Sequence, residues 1–333
     1  MATRIAINGF GRIGRLVFRE LVKNPKVEII GINDLTSAAT LAHLLKYDSA
    51  HGTMPGEIKA TTNDLIINGK KIPVFAEKEP AQLPWAKLKV DIVIESTGRF
   101  VDKEGAAKHI TAGAKRVIIS APAKGEGVPT IVYGVNHKIL KKHDTVISGA
   151  SCTTNALAPV VDVLHHAFGI EGGYMITTHA YTADQRLQDA PHSDLRRARA
   201  AVASIIPTST GAAKAIGLVI PALKGKLHGV SNRVPTITGS LVDLHLLLNK
   251  SPTVDQINAA IKKATSDTLG YNDEGIVSVD VVGETHGSIF DPLLTNFIDT
   301  GKNKIYHVST WYDNESSYVN QLVRTTIYFA NLK

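Results

Sequence analysis

Of 333 residues only Cys152 is a cysteine, so the chain can form no intrachain disulfide and cannot assemble a thiolate zinc cluster; no metal site is expected. Such usage suits a reducing compartment, and a cytoplasmic location is the expectation. Residues 1–12 lack the apolar core and small-residue cleavage site of a signal peptide, and no run is long enough to span a bilayer, so no membrane partner is expected. Internal repeats and low-complexity stretches are also missing. The 37 Lys plus Arg against 30 Asp plus Glu leave a net charge of +7, spread along the chain without a basic tail. That balance favours small anionic ligands and gives no reason to expect a specific nucleic-acid partner. What is present is apolar: 44% hydrophobic residues, ample for a core, in a length that at roughly 100–200 residues per domain suggests two domains.

The N-terminal part alternates strand and helix. Residues 4–8 read as an apolar strand, 9–14 as a glycine-rich turn, and Leu16, Val17, Phe18, Leu21 and Val22 as the buried stripe of a helix stopped by Asn24-Pro25. A second strand over 27–33 completes a β-α-β unit. Further strands are expected at 90–95, 116–120, 131–133 and 145–148, with a helix over 104–112, which implies a parallel sheet. After Gly149 the strands lengthen and alternate, at 173–180, 230–234, 236–248 and 305–311, as in a half-buried and largely antiparallel sheet. Helices are expected at 153–168, 211–219, 254–265 and 314–331, and the polar, arginine-rich segment 181–203 is too long for an idle loop. The fold class is therefore α/β: a dinucleotide-binding domain of Rossmann type over 1–150, then an α+β catalytic domain over 151–314, with the C-terminal helix over 315–333 expected to return to the first.

Gly9-Phe10-Gly11-Arg12-Ile13-Gly14 is a G-x-G-x-x-G turn lying between a strand and a helix, and Asp34 ends the next strand twenty residues after Gly14. In that context Gly9 permits the tight turn, Gly11 admits a pyrophosphate to the backbone, and Gly14 lets helix and strand pack closely. Arg12 and Ile13 carry the first free amides of the helix. A carboxylate at Asp34 accepts hydrogen bonds from the adenosine ribose and repels a 2′-phosphate, so NAD is the expected cofactor rather than NADP.

Cys152 stands in Ser151-Cys152-Thr153-Thr154-Asn155, immediately before an apolar run. Polar neighbours make this a poor core position and a good helix start. Bringing an ordinary thiol from a pKa of about 8.5 to roughly 6 takes about 3.4 kcal/mol of preferential thiolate stabilisation, which the helix end and a neighbouring imidazolium together are expected to supply. Thirteen histidines compete to be that neighbour. His165 and His166 lie about 20 Å along the helix from the thiol, and His137, His143 and His192 lie in polar segments. His179 ends a strand and opens the 181–203 segment, where catalytic groups collect; spacing alone does not eliminate every other candidate.

These blocks, together with His179-Ala180-Tyr181-Thr182, Ser231-Asn232-Arg233-Val234-Pro235-Thr236 and Trp311-Tyr312-Asp313-Asn314-Glu315, resemble phosphorylating glyceraldehyde-3-phosphate dehydrogenases in order and spacing over nearly the whole chain. The resemblance implies that Cys152 attacks the aldehyde of glyceraldehyde 3-phosphate, that His179 activates the thiol and serves as base for hydride transfer to NAD, and that inorganic phosphate releases the resulting thioester as 1,3-bisphosphoglycerate in glycolysis. It places the substrate phosphate on Thr182 and Arg233, and the attacking phosphate on Ser151, Thr153, Arg197, Thr210 and Gly211. It adds Lys78 and Ser120 on the adenosine side of the cofactor and Asn314 at the nicotinamide carboxamide. Leu35 and Pro191 match the NAD-using branch, and the 181–203 segment resembles a loop that packs on a neighbouring subunit, implying a homotetramer. The chain departs from many relatives in carrying Ala156 four positions after the nucleophile, where they have a second cysteine. Oxidation of an erythrose 4-phosphate with transfer to water is the alternative activity, and a secondary binding role is a further one; the complete set of phosphate residues argues against the former.

Overall fold

The computed structural model of the chain describes residues 2–332, which separate into two compact units. The first takes residues 2–131, 137–150 and 322–332, and the second Val132–Asn136 and Ser151–Gln321. No helix among the described residues is long and apolar enough to cross a membrane.

The first unit opens with β1 (Thr3–Asn8), α1 (Arg12–Leu21) and β2 (Val27–Asn33). Leu16, Val17, Phe18 and Leu21 bury one side of α1. There follow α2 (Ala38–Lys46), β3 (Ile58–Ala60), β4 (Asp64–Ile67), β5 (Lys70–Phe75), α3 (Trp85–Leu88), β6 (Ile92–Glu95), α4 (Lys103–Thr111), β7 (Arg116–Ile119) and β8 (Val146–Ser148). The strands form one sheet in the order β3-β4-β5-β2-β1-β6-β7-β8. From β5 to β8 neighbours are parallel, as suits near-continuous apolar strands covered on both faces. The β3-β4-β5 edge is antiparallel, a departure from the all-parallel expectation. Its β4-β5 hairpin turns on Asn68 and Gly69, both at positive φ (50° and 80°), the backbone that matches strand twist in a two-residue turn. The strand expected over 131–133 is instead a turn: Asn136 Oδ1 takes the Val132 N–H at 2.8 Å, and pairing is confined to an isolated bridge between Thr130 and Ser148.

From β1 the chain order runs to β2 on one side and to β6 on the other, so the carboxyl ends of these strands flank the crevice where such sheets bind ligands. A buried polar group lies beneath it. Trp85 Nε1–H can only donate, and it donates to His109 Nδ1 at 3.0 Å, so the His109 proton sits on Nε2 and points to Glu95 Oε2, also at 3.0 Å. Glu95 further accepts from Asn8 Nδ2 and from the backbone and hydroxyl of Thr97. Four donors on one carboxylate tie the ends of β1 and β6 to α4.

The second unit contains α5 (Cys152–Phe168), β9 (Ile170–Ala180), β10 (Ile206–Ser209), α6 (Ala212–Val219), β11 (Leu227–Val234), β12 (Ser240–Leu248), α7 (Val254–Lys263), β13 (Leu269–Tyr271), β14 (Ser288–Asp299) and β15 (Lys304–Tyr312). In the last helix, α8 (Ser316–Asn331), residues to Gln321 belong to the second unit and those from Leu322 to the first. The sheet order is β10-β11-β9-β12-β15-β14-β13. Along β12 burial alternates, with Ser240, Val242, Leu244 and Leu246 inward, beneath the helices. β12 starts at Ser240 rather than at 236. Three strands of this unit were not expected, β10, β13 and β14; Pro207 and Pro292 break the strand pattern of β10 and β14, the first on an edge strand and the second in the register break that follows Asp291. One pairing decides the chemistry: β11 runs parallel to β9 with Arg233 opposite His179.

Removing the donor of Trp85 tests the His109 assignment. Trp85→Phe leaves His109 Nδ1 buried without a partner and should cost about 1–3 kcal/mol in urea unfolding. An unchanged midpoint would show that Nδ1 is not the acceptor.

Candidate active site

On the first unit, the glycines leave room for a ligand in a specific way. Gly9 has φ +89°, and a Cβ on it would stand 2.7 Å from the Ser96 backbone; a Cβ on Gly14 would stand 2.1 Å from the Gly9 carbonyl oxygen. Beside Gly11, in contrast, no atom lies within 4 Å of the Cβ position, so that side of the turn is open. No side chain caps α1 at this end, and the Arg12 guanidinium is paired with Asp48. Arg12 therefore offers its backbone rather than its charge. Asp34 is held by Phe10 N–H at 2.7 Å and Thr36 N–H at 2.9 Å, which fixes its carboxylate and leaves lone pairs for hydroxyl donors.

Gly9, Gly11, Asp34, Leu35 and Lys78 line a cavity of about 590 Å³ with Asn8, Asn33, Ser96, Thr97 and Phe100. The open side of Gly11, the uncapped helix end and the fixed Asp34 fit a dinucleotide. Arg12, Ile13 and Gly14 lie in the adjoining first turn of α1, outside the lining. Ser120 follows β7, outside the lining as well, with its N–H on the Glu95 carbonyl at 2.9 Å. Asn8, Asn33, Ser96 and Thr97 escaped the sequence reading, although each stands at or just beyond a strand end that the pattern had located.

On the second unit, Ser151 caps α5 by accepting Thr154 N–H at 3.1 Å, and Cys152 begins the helix. The preceding Ala150 is buried and held at φ 60°, a left-handed conformation that costs a non-glycine residue about 1–2 kcal/mol. It turns the chain sharply into α5. Cys152 Sγ lies 3.4 Å from His179 Nε2. At the far side of the ring, His179 Nδ1 lies 2.6 Å from the Ala180 carbonyl oxygen and 2.7 Å from Arg233 Nη1, which also reaches that oxygen at 3.1 Å.

Nδ1 cannot serve both neighbours at once. If it carries a proton it donates to Ala180, and Nε2 turns a lone pair toward the sulfur, ready to take the thiol proton. If it accepts from Arg233, the ring proton is on Nε2 and faces the sulfur as a donor suited to a thiolate. Either arrangement is a neutral imidazole. Burial first, and then the Arg233 guanidinium, push His179 down to about 3. Burial likewise pushes the Cys152 thiol up, while Arg233 pulls it down. The balance of charge differs from the expected thiolate–imidazolium pair: burial and Arg233 disfavour an imidazolium, and the cation whose charge favours the thiolate is Arg233, across the ring from the sulfur.

Tyr312 Oη joins Thr153 Oγ1 at 2.9 Å and Thr177 Oγ1 at 3.0 Å, and its ring meets His179 edge-on, with centroids 5.9 Å apart at 79°. Burial raises its phenol, which stays protonated. Tyr312 belongs to a quoted motif but drew no role from its sequence; only packing reveals it. Among the anion candidates, Arg233 keeps its buried Nε without a partner. Thr182 N–H donates to Gln185 Oε1 at 3.3 Å. Arg197 is paired with Asp184 and donates from Nε to Thr208 Oγ1 at 2.9 Å. Thr210 Oγ1 accepts Ala212 N–H at 3.2 Å, and Gly211, at the start of α6, has open space at its Cβ position. Asn314 Oδ1 accepts from Ser240 Oγ at 3.0 Å. No group of three or more His, Cys, Asp or Glu among the described residues is arranged to hold a metal.

Residues 3–103 match the family model described as glyceraldehyde 3-phosphate dehydrogenase, NAD binding domain, and residues 151–314 match the one for its C-terminal domain. The chain is 63% identical over 329 residues to glyceraldehyde-3-phosphate dehydrogenase of Mycoplasma pneumoniae, covering 99% of this chain and 98% of that one. It is 54% identical to the enzyme of that name from Clostridium pasteurianum and 55% to that from Geobacillus stearothermophilus, each over 99% of both chains.

Two pH-dependent outcomes follow from these charges. Replacing Arg233 by Met removes the cation that favours the thiolate, so the midpoint of iodoacetamide alkylation should move to higher pH. His179→Asn should move it less, because the ring is neutral; a larger shift in the histidine variant would restore the imidazolium. The second outcome concerns stability: with His179 at about 3 when folded and about 6.5 when unfolded, the unfolded chain binds the extra proton between those values, and stability falls as pH drops through that window. His179→Asn should weaken the dependence between pH 7 and 5, read from urea midpoints.

Proposed function

The chain belongs to the glyceraldehyde-3-phosphate dehydrogenase family, and on that footing we propose that it oxidises D-glyceraldehyde 3-phosphate with NAD, through a thioester on Cys152 that inorganic phosphate cleaves. The observation that carries the reading is the 3.4 Å approach of Cys152 Sγ to His179 Nε2 with Arg233 on the ring's other side. Nε2 takes the thiol proton as sulfur adds to the aldehyde carbon, and returns it to the resulting alkoxide. An imidazolium disfavoured by burial and by Arg233 gives that proton up readily. The hemithioacetal hydroxyl then yields its proton to Nε2 as C1 loses hydride. NAD, when bound, supplies the hydride acceptor.

A phosphate oxygen attacks the thioester carbonyl, the C–S bond breaks, and Cys152 leaves as a thiolate favoured by the charge of Arg233 across the imidazole ring. Thr182 and Arg233 would hold the substrate phosphate, the latter through the Nε that its burial leaves unmatched; Ser151, Thr153, Arg197, Thr210 and Gly211 would hold the attacking one. Gly9, Gly11, Gly14, Asp34, Lys78 and Ser120 would hold the adenosine and pyrophosphate, with the amides of Arg12 and Ile13, and Asn314 the carboxamide. The 181–203 segment exposes Leu187 and Leu195 by 71% and 81%, more apolar surface than a free loop needs, which supports a homotetramer. A nucleophilic thiol with no disulfide partner suits a reducing, cytoplasmic setting.

Omitting phosphate separates the steps. NADH absorbance should then rise by about one equivalent per subunit and stall, and adding phosphate should restore turnover; steady turnover without phosphate would mean transfer to water. Cys152→Ser should lose about a thousandfold or more in kcat. Preference for NAD over NADP should be at least about tenfold in kcat/KM, the effect of roughly 1.4 kcal/mol of repulsion at Asp34, and should fall in Asp34→Gly/Pro191→Ser. Light scattering should give about four times the 35.7 kDa chain mass.

A further inference from the structure

The hydroxyl of Ser240, buried at the start of β12, has one proton and uses it on Asn314 Oδ1 at 3.0 Å, while its oxygen accepts the Ala180 N–H at 3.1 Å. The nearby Thr238 hydroxyl does not compete. It lies 3.2 Å from Asn314 Oδ1 but 2.6 Å from the carboxylate of Asp313, the stronger acceptor. Asp313 in turn accepts Glu315, Ser316 and Gly283 N–H groups, so the backbone leading into α8 is pinned independently of Ser240. What Ser240 decides is the amide. With Oδ1 committed, the side of Asn314 left for a ligand is its pair of N–H donors, which suits a carbonyl oxygen. On its other side, Ser240 fixes Ala180, whose carbonyl oxygen lies 2.6 Å from His179 Nδ1 and accepts from it when that nitrogen carries the ring proton.

We propose that Ser240 is a positioning residue whose single hydroxyl sets both the Asn314 amide that receives the nicotinamide carboxamide and the Ala180 backbone that aims His179. The hydride acceptor and the base are thereby oriented by one oxygen. Losing it frees the Asn314 amide to turn over, presenting an acceptor to an acceptor, and loosens the backbone at Ala180, whose carbonyl faces the imidazole.

The proposal rests on the reading that Asn314 holds the carboxamide, and calorimetric binding separates the two. NAD is compared with ADP-ribose, which lacks the nicotinamide ring, for wild type, Ser240→Ala, Asn314→Ala and the double variant. Ser240→Ala should weaken NAD about tenfold relative to ADP-ribose, the effect of one hydrogen bond, and adding it to Asn314→Ala should weaken NAD no further. If Asn314→Ala shifts the ratio and Ser240→Ala does not, or if the two effects add, the role of Ser240 is overturned and Asn314 stands. If neither shifts it, the Asn314 reading fails and takes the proposal with it. A second arm needs no cofactor: Ser240→Ala should change the pH profile of Cys152 alkylation and Asn314→Ala should not, and an unchanged profile in Ser240→Ala removes the His179 half of the proposal. Should the alanine variant not fold, Ser240→Cys keeps the shape with a weaker hydrogen bond and should give an intermediate binding ratio.

Discussion

The chemistry of the second unit depends on one nitrogen. His179 Nδ1 lies between a carbonyl that wants its proton and a guanidinium that can only give one, and whichever it answers, the opposite state is imposed on Nε2, 3.4 Å from the sulfur. The ring is neutral in both cases; when Nε2 takes the thiol proton it becomes an imidazolium beside Arg233, a state that burial and the guanidinium keep short-lived, so the proton passes on to the substrate oxygen. A histidine in water would simply protonate near neutrality; this one is denied that by burial.

Sheet register brings those groups together. In a parallel pair, residues at equal steps along two strands stand side by side, so placing Val234 beside Ala180 necessarily places Arg233 beside His179. The same logic acts at the carboxyl ends of β1, β2 and β6, where Asn8, Asn33 and Thr97 meet around Glu95 and the glycine turn. In each unit several of the site's polar groups come from strand ends, while Cys152 comes from the start of α5. Rigid strands hold such groups more precisely than loops do.

How much of this is legible in the sequence depends on the range of the interaction involved. The glycine turn, Asp34 and the Ser151 cap are local, each decided within a few residues by backbone geometry, and their chemistry could be written from spacing. The β4-β5 hairpin was equally local: Asn68-Gly69 between apolar runs is a strong turn signal that the parallel-sheet expectation passed over. Strands β10 and β14 were hidden by their prolines. The partners of His179 were hidden for a different reason, since Arg233 lies 54 positions away and only the resemblance to a family had marked it. Tyr312 and Ser240 are further still from the residues they orient, and nothing in their neighbourhoods distinguishes them from ordinary buried hydroxyls.

The same distinction of range bears on the thiol, which burial pushes up and Arg233 pulls down. A helix N-terminus supplies about 0.3–1 kcal/mol, and about 2 kcal/mol in favourable partly buried geometry, whereas desolvation of a fully buried group can shift a pKa by up to about 3–5 units, each equivalent to about 1.4 kcal/mol. Local reasoning counts the first and cannot see the second. Against a penalty of that size a helix end alone leaves Cys152 protonated, and a thiolate–imidazolium pair carries the desolvation cost of both its charges. A guanidinium escapes the difficulty, because it keeps its charge where an imidazole surrenders it. Arg233, half of whose role is to suppress the charge on His179, is thus also the group able to stabilise the sulfur anion, and a site built on cysteine and histidine alone would have neither.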